Sequence, residues 1–463
     1  MKLHNYQTDA VTFIKARFQG SHPGAAVFAD PGLGKTLISL ESINVLDPLT
    51  PENRRCKRNS KNPLTSKHLV IAPLRPLLST WETESRKWGF NYAFHNLRSP
   101  KGLEALRNDE PGVYLINPES LKKLANEKFR GFGVCVVDES TKFKNWSSQR
   151  SKVLRKLRKK LGFFILLSGT PAPNSNTDLF SQCFFLDEGK TFGTSLMRFR
   201  YRWCRQGGFQ GRQWIFDDRQ AEKFQELLAP MAIRLDCETY LDMPELLVND
   251  IWVDLPPRAR RQYDDMEQRL FAELDNDESL TASNASAVYA KCRQMANGAV
   301  YNDDGEVTQV HTAKAEALAD LKEELAGKPL LTAFQFKHDK GAIAGDGFID
   351  GSVTPREVNS TIEAWNAGQL GILGLQSASS HGLNIQKGGC SDIAWYGLTN
   401  AFEDYAQTNF RIYRQGNDAK QVRIHRILAR NTVDEQVLDT LQSKDTSQRG
   451  ILEAIKRYRE RKS

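Results

Sequence analysis

The stretch Ala29-Asp30-Pro31-Gly32-Leu33-Gly34-Lys35-Thr36 has residue types suited to holding a phosphate. Small residues let backbone N–H groups wrap a β-phosphate, and a helix opening directly after the loop favours an anion. An apolar run, AAVFA (25–29), precedes the loop, and a helical pattern, KTLISLESINVL (35–46), follows it. In that setting Lys35 reaches the β- and γ-phosphates and Thr36 binds Mg2+. The usual GxxxxGK[ST] spacing has Ala29 at its first glycine, a residue small enough to be tolerated. Further along, VVDES (136–140) ends another apolar run. Asp138 there suits a magnesium ion held through its water shell, and Glu139 suits orienting and deprotonating an attacking water. The next run ends in LLSGTPAPN (166–174), where Ser168 and Thr170 offer small hydroxyls that could sense the phosphate.

A second group lies far downstream, in QTNFRIYRQGN (407–417). Phe402, Ala406, Phe410 and Tyr413 recur at helical spacing and predict a buried stripe. Gln407, Arg411 and Arg414 follow i, i+4, i+7 and so share another helix face. A basic solvent face is the plain reading of that pair. Two planar guanidiniums presented together can also neutralise a γ-phosphate in its transition state. The expectation is one ATP site whose halves come from separate domains. Near the start, Tyr6 and Gln7 open an amphipathic helix with Ala10, Phe13, Ile14 and Phe18 on one face. A glutamine amide can pair with adenine N6 and N7, although a glutamine near a helix start is commonplace.

The elements that must position these residues alternate in type. Strand candidates are 25–29, HLVIAPL (68–74), GVYLIN (112–117), FGVCVVDE (132–139) and FFILLSG (163–169), with helical stretches such as LLSTWETESRKW (77–88) between them. Near-continuous apolar strands with helical crossovers imply a parallel sheet covered on both faces, with ligands at the strands' carboxyl ends. The rhythm breaks between about 175 and 310, a helix-rich region with an acidic insert, DNDESLTASNAS (275–286), read as a loop. It resumes with PLLTAFQF (329–336), GFID (347–350), LGILGLQSA (370–378), DIAWYGL (392–398) and VRIHRIL (422–428). The fold class expected is α/β, with two doubly wound parallel-sheet lobes joined by a helical segment. The boundaries read as 1–236 for the first lobe, 237–312 for the inter-lobe segment, 313–445 for the second lobe and 446–463 for a basic tail.

A chain of 463 residues is too long for one core. Apolar runs such as FFILL (163–167) are too short to cross a bilayer, and MKLHNYQTDAV lacks a signal peptide's apolar stretch. With seven scattered cysteines and no CxxC pair, reduced thiols and a cytoplasmic setting are expected. The net charge of +8 permits a polyanion partner. Residues 150–160 (RSKVLRKLRKK) place seven cations in eleven positions, and 456–462 (KRYRERK) form a basic end. Either run alone reads equally well as a solvated helix face, whereas together they lean toward phosphate backbone contacts.

Taken in order, these motifs resemble the Swi/Snf-like branch of the superfamily-two helicase and translocase ATPases, in the form of a minimal phage or bacterial member. The resemblance runs through HNYQ (4–7), GLGKT (32–36), VIAPLRPLLSTW (70–81), VVDES, LSGTPAPN, MPELLVNDIWVDLPPRARRQY (243–263), FQF (334–336), IDGSVT (349–354), SSHGLN (379–384), QTNFRIYRQGN and VRIHRILARNTVDEQVL (422–438). It implies two RecA-like lobes with ATP between them and DNA across both. It assigns Gln7 to adenine, Gly32, Leu33, Gly34, Lys35 and Thr36 to the phosphates, and Asp138 and Glu139 to magnesium and water. Arg411 and Arg414 become arginine fingers, and Gly382 couples the ATP state to the grip on DNA. Where the branch has DEAH or DEGH this chain reads DEST, so the histidine that would speak to the third motif is missing, with Ser140 or Thr141 as weak substitutes. Pro31 stands where a methionine is usual, and 398–402 lacks the customary tryptophan. These changes spare the groups that carry the chemistry.

The leading expectation is an ATP-driven translocase on double-stranded DNA, with single-stranded DNA or RNA as other substrates and no membrane partner. The alternatives are a strand-separating helicase, a clamp that binds ATP without turning it over, and an effector subunit of a nuclease or modification complex. The short stretch between FQF and IDGS offers no wedge, Lys35, Asp138, Glu139 and both arginines argue against a clamp, and no nuclease motif is visible.

Overall fold

The computed structural model describes residues 3–47, 67–90, 92–125, 127, 129, 131–207, 213–275, 282–302 and 304–460. The chain divides into two compact units, Met1–Leu241 with Lys444–Ser463, and Asp242–Ser443.

The main sheet of the first unit contains β1 (Gly24–Ala29), β2 (Lys67–Ile71), β3 (Phe94–Asn96), β4 (Gly112–Ile116), β5 (Phe132–Asp138) and β6 (Leu161–Ser168). β7 (Cys204–Gly207) and β8 (Gln213–Phe216) form a separate antiparallel hairpin, and β9 (Ala232–Leu235) returns to the main sheet. The order is β3-β4-β2-β5-β6-β1-β9 with every pairing parallel. Every residue of β1, β2, β4 and β5 is buried, as expected for strands covered on both faces. Since all run the same way, the loops after β1, β5 and β6 emerge at one edge, with β6 seated between the other two. That edge carries the phosphate loop, VVDES and SGTP.

The second unit holds β10 (Glu245–Val253), the hairpin β11 (Ala299–Tyr301) with β12 (Val307–Gln309), then β13 (Leu330–Phe334), β14 (Gly347–Ile349), β15 (Ile372–Gln376), β16 (Asp392–Trp395) and β17 (Gln421–Ala429). Its main sheet, β10-β17-β16-β13-β15-β14, is again wholly parallel. Each unit has its own core. Phe28, Phe164 and Phe185 are among the buried residues of the first, and Trp365, Trp395 and Ile412 of the second.

The division differs from the expected boundaries at two places. Residues 237–312 do not stand apart: β10 pairs with β17 along its whole length, and Tyr263, Cys292 and Met295 from the helices Pro257–Asp275 and Ala282–Ala296 pack with Ala429 and Val433. Residues 446–460 do not form a separate tail. They are the last part of a helix, Val433–Glu460, whose Ile451, Leu452 and Ile455 enter the first unit's core. Of the expected acidic loop 275–286, residues 276–281 lie outside the described residues, and the helix Ala282–Ala296 takes up its end.

Candidate nucleotide-binding site

The first half of the site begins with the helix Asn5–Gln19, which starts on a capping box between His4 and Gln7. Ala10, Phe13 and Ile14 are buried as its pattern predicted, with Phe18 half-buried. Gln7 itself is buried and engaged at both ends of its amide: its Oε1 accepts from the His4 N–H at 3.1 Å, and its Nε2 donates to the Leu33 carbonyl at 3.3 Å, leaving one N–H and one lone pair over. The amide therefore braces the phosphate loop. The Tyr6 ring beside it lies 5.0 Å from that of Tyr240.

The loop follows β1 and leads into the helix Lys35–Leu46, whose N-cap, Gly34, has φ 75°. Gly32 is also left-handed, at φ 94°. Glycine adopts that region without steric cost, so the loop can curl its N–H groups inward. Lys35 and Thr36 then occupy the helix's first two positions, while the Leu33 side chain is wholly buried. Lys35 Nζ donates to the Ala29 carbonyl at 2.9 Å, folding its ammonium back over the loop. Beneath it, Arg234 Nη2 donates to Asp30 Oδ2 at 2.7 Å and the Cys237 N–H donates to the same oxygen at 3.1 Å. Asp30, Asp236 and Cys237 lie close enough to suggest a metal trio. The Asp30 carboxylate is already engaged by that brace, and burial pushes the Cys237 thiol up.

Asp138 closes β5 with its side chain buried. Burial first, and then the neighbouring Glu139 carboxylate, push its pKa up to about 7, opposed by the Lys35 ammonium. The Lys35 ammonium and the Asp138 carboxyl thus feel each other's charge at this edge of the sheet. Glu139 has φ 52° and ψ 62°, a left-handed backbone that is strained for a residue with a side chain. Its N–H donates to Asp138 Oδ1 at 3.1 Å, while its Oε2 is buried with no hydrogen-bond partner among the described residues. The third loop closes on the first: a Cβ at Gly169 would stand 3.3 Å from the Ala29 carbonyl oxygen. Ser168 Oγ accepts from the Thr170 N–H at 3.1 Å, and Thr170 Oγ1 is buried without a hydrogen-bond partner among the described residues.

In the second unit the helix over the arginine segment spans only Phe402–Asn409. Gln407, Arg411 and Arg414 therefore do not share a helix face, contrary to the i, i+4, i+7 expectation. The helix stops where Asn409 Oδ1 accepts from the indole of Trp395 at 2.9 Å, and the chain turns through Ile412 and Tyr413, both buried. Phe402 and Tyr413 are buried as the stripe predicted, with Ala406 and Phe410 partly so. Gln407 is buried. Arg411 donates from Nε to the Gln407 carbonyl at 3.1 Å and from Nη1 to the Leu383 carbonyl at 2.9 Å, beside the left-handed Gly382. Arg414 Nε is buried with no hydrogen-bond partner among the described residues, and burial lowers its pKa.

The two basic runs serve structure more than their charge suggested. Arg158 is buried and donates to the carbonyls of Phe185, Leu161, Gly162 and Pro23. Arg155 lies 3.6 Å over the Trp146 ring and donates to its carbonyl. Lys152, Lys156, Lys159 and Lys160 stay exposed. At the chain's end, Arg459 lies 3.9 Å over the Phe13 ring and donates to the carbonyls of Ala232 and Pro230.

Two parallel α/β lobes, the first with a phosphate loop and an acidic pair at one sheet edge, define a nucleotide-hydrolysing class. The chain belongs to the SNF2-related family of nucleic-acid-dependent ATPases, whose SNF2-related domain matches residues 6–298. It forms an ATP-dependent core of helicase/translocase type, with ATP as its nucleotide. The chain is 33% identical over 459 residues to "Putative protein p41" of Acyrthosiphon pisum secondary endosymbiont phage 1, covering 93% of this chain and 95% of that protein. Similarity to the "Putative ATP-dependent helicase/translocase YwqA" of Bacillus subtilis is 24% over 467 residues, covering 93% of this chain and 47% of that one. The chain thus spans nearly the whole phage relative and less than half of the bacterial one. Among solved structures, a Sulfolobus solfataricus SWI2/SNF2 ATPase core in complex with dsDNA is 19% identical with a TM-score of 0.43, covering 98% of this chain and 95% of that one. Among the described residues, no helix is long and apolar enough to cross a membrane.

Proposed function

We propose that the chain is a motor that moves along double-stranded DNA, drawing on ATP hydrolysed at the loop Gly32–Thr36. The observation that carries this reading is the placement of the loop after β1, with Lys35 at its helix start, and of the buried Asp138 with the half-buried Glu139 beside it at one edge of the same parallel sheet. Lys35, released from the Ala29 carbonyl, holds the β- and γ-phosphates, and the N–H groups of Gly32, Leu33 and Gly34 line them. Thr36 and Asp138 suit a magnesium ion: burial makes the Asp138 carboxylate costly to ionise alone, and a divalent cation beside it would offset that cost. The ion would neutralise phosphate charge. Glu139 orients the attacking water and accepts its proton. Arg411 and Arg414 supply guanidiniums to the transferring phosphoryl group.

Movement without strand separation is favoured by the stretch between β13 and β14, where the helix Asp339–Ile343 is the only regular element. A strand-separating enzyme would need a wedge. The test is ATP turnover with duplex DNA, single-stranded DNA and RNA compared side by side, together with triplex displacement. Duplex DNA should stimulate most and a triplex strand should be stripped. Stimulation by RNA alone would overturn the duplex assignment. Lys35→Ala should abolish turnover, and hydrolysis at the wild-type rate in that variant would remove the phosphate-loop role.

A further inference from the structure

Gln182 sits in the helix Leu179–Asp187 among Leu179, Phe180, Cys183, Phe185 and Leu186, and it is 1% exposed. A primary amide buried in such company is costly unless both its ends are satisfied. Its Nε2 donates to the Pro171 carbonyl at 2.7 Å and to the Asp178 carbonyl at 3.0 Å. Carbonyls only accept, so those contacts fix the orientation of the amide. Its Oε1 must then face Ser140, whose hydroxyl donates to it at 2.6 Å. One side chain thus joins the residue after Glu139 to the residue after Thr170. On the far side of the same loop, the Ala172 N–H donates to Gln448 Oε1 at 3.2 Å, and Gln448 is also buried.

We infer that Gln182 is a positioning residue for hydrolysis, a relay that ties the acidic motif to the Gly169–Asn174 loop and holds Glu139 in its strained backbone. This rests on the reading of Glu139 as the water-orienting group. Two features surround the relay and need external restraint: the left-handed Glu139 with its unpartnered Oε2, and the unpartnered Thr170 hydroxyl. A residue at φ 52° persists only where its neighbours over-determine it. Ser140 is the next residue, is almost wholly buried, and is held by the Gln182 carbonyl. Without the link, Glu139 can relax and its carboxylate leaves the line of attack while the phosphate loop stays intact.

The test is steady-state ATP hydrolysis by the full chain with and without duplex DNA, for Ser140→Ala, Gln182→Met, the double variant and Gln182→Glu. Losing one such hydrogen bond should lower kcat about tenfold and leave KM for ATP within about twofold. The double variant should be no slower than the slower single, because both cut the same link. Gln182→Glu adds a readout that a packing role would not move. Its carboxylate would oppose the Pro171 carbonyl, whereas the protonated acid can donate to it, so its kcat relative to wild type should climb as pH falls. Should Gln182→Met fail to fold, Ser140→Ala and the pH profile of Gln182→Glu carry the test. Unchanged kcat in folded Ser140→Ala and Gln182→Met overturns the relay, and so does a loss expressed only in KM. A wild-type chain that hydrolyses no ATP would instead sink the underlying reading of the site, and the relay with it.

Discussion

Asp138 is held against its own chemistry: a carboxyl whose ordinary pKa is 3.8 is pushed up to about 7 by burial and by Glu139. Because the folded value lies above the unfolded one, the native state keeps a proton that the unfolded chain has lost between those pH values. The stability this group contributes is complete below pH 3.8 and declines as pH rises toward about 7. Without nucleotide or divalent ion, Asp138→Asn should therefore gain in thermal midpoint over wild type as pH rises from 4 to 7. Above that the difference should level off. Calorimetry across that range checks it, and a constant difference would show that Asp138 titrates normally. The arginines divide differently. Arg411 spends donors on Leu383 and Gln407, whereas Arg414 keeps an unpartnered Nε. Arg414→Ala should then lower kcat by about 10³, the scale of a lost arginine finger, with ATP binding retained. A fluorescent-nucleotide titration beside the turnover assay separates the two effects, and unaltered turnover removes the role.

Among elements, the phosphate loop depends on Gly34 for two reasons. At Gly34, φ is 75° and an added Cβ would come within 2.6 Å of Gln7 Nε2. Gly34→Ala would displace the amide that braces Leu33 and add about 1–2 kcal/mol of left-handed strain, raising KM for ATP about tenfold. Gly389→Ala, at φ 66° with nothing within 4 Å, carries the strain alone and should leave KM unchanged. Most of the strands were legible because central parallel strands are buried on both faces and read as unbroken apolar runs. Those missed in the main sheets, β3, β9 and β10, are edge strands. β10 reads ELLVNDIWV, so Asn249 and Asp250 split its apolar residues into two short runs, the first of them exposed. The arginine segment misled for another reason: helical periodicity continues past Asn409 in the sequence, but a side-chain bond to Trp395 and the turn after it end the helix in space. The Ser140–Gln182 link joins residues 42 apart, and no local spacing announces it.

At the scale of the whole molecule, the instructive segment is the end of the chain, where charge hid a core element. KRYRERK draws attention as a polyanion contact, yet Ile451, Leu452 and Ile455 recur at i, i+1, i+4, the signature of a buried helix face. All three lie in the first unit's core, and Ile455 is fully buried. The first lobe is thus closed by residues that follow the second in sequence, and it cannot complete its core until Ile451, Leu452 and Ile455 have been made. Ile455→Ala leaves a cavity that should cost about 2–5 kcal/mol. If the segment were instead a surface tail reaching for phosphates, the same substitution would leave stability alone. Lys456→Gln with Arg457→Gln would then weaken DNA binding and flatten its salt dependence. Urea unfolding of Ile455→Ala, set beside a salt titration of DNA affinity for the two charge variants, distinguishes these. A lower midpoint for the first, with an unchanged salt slope for the second, is the expected pair of results.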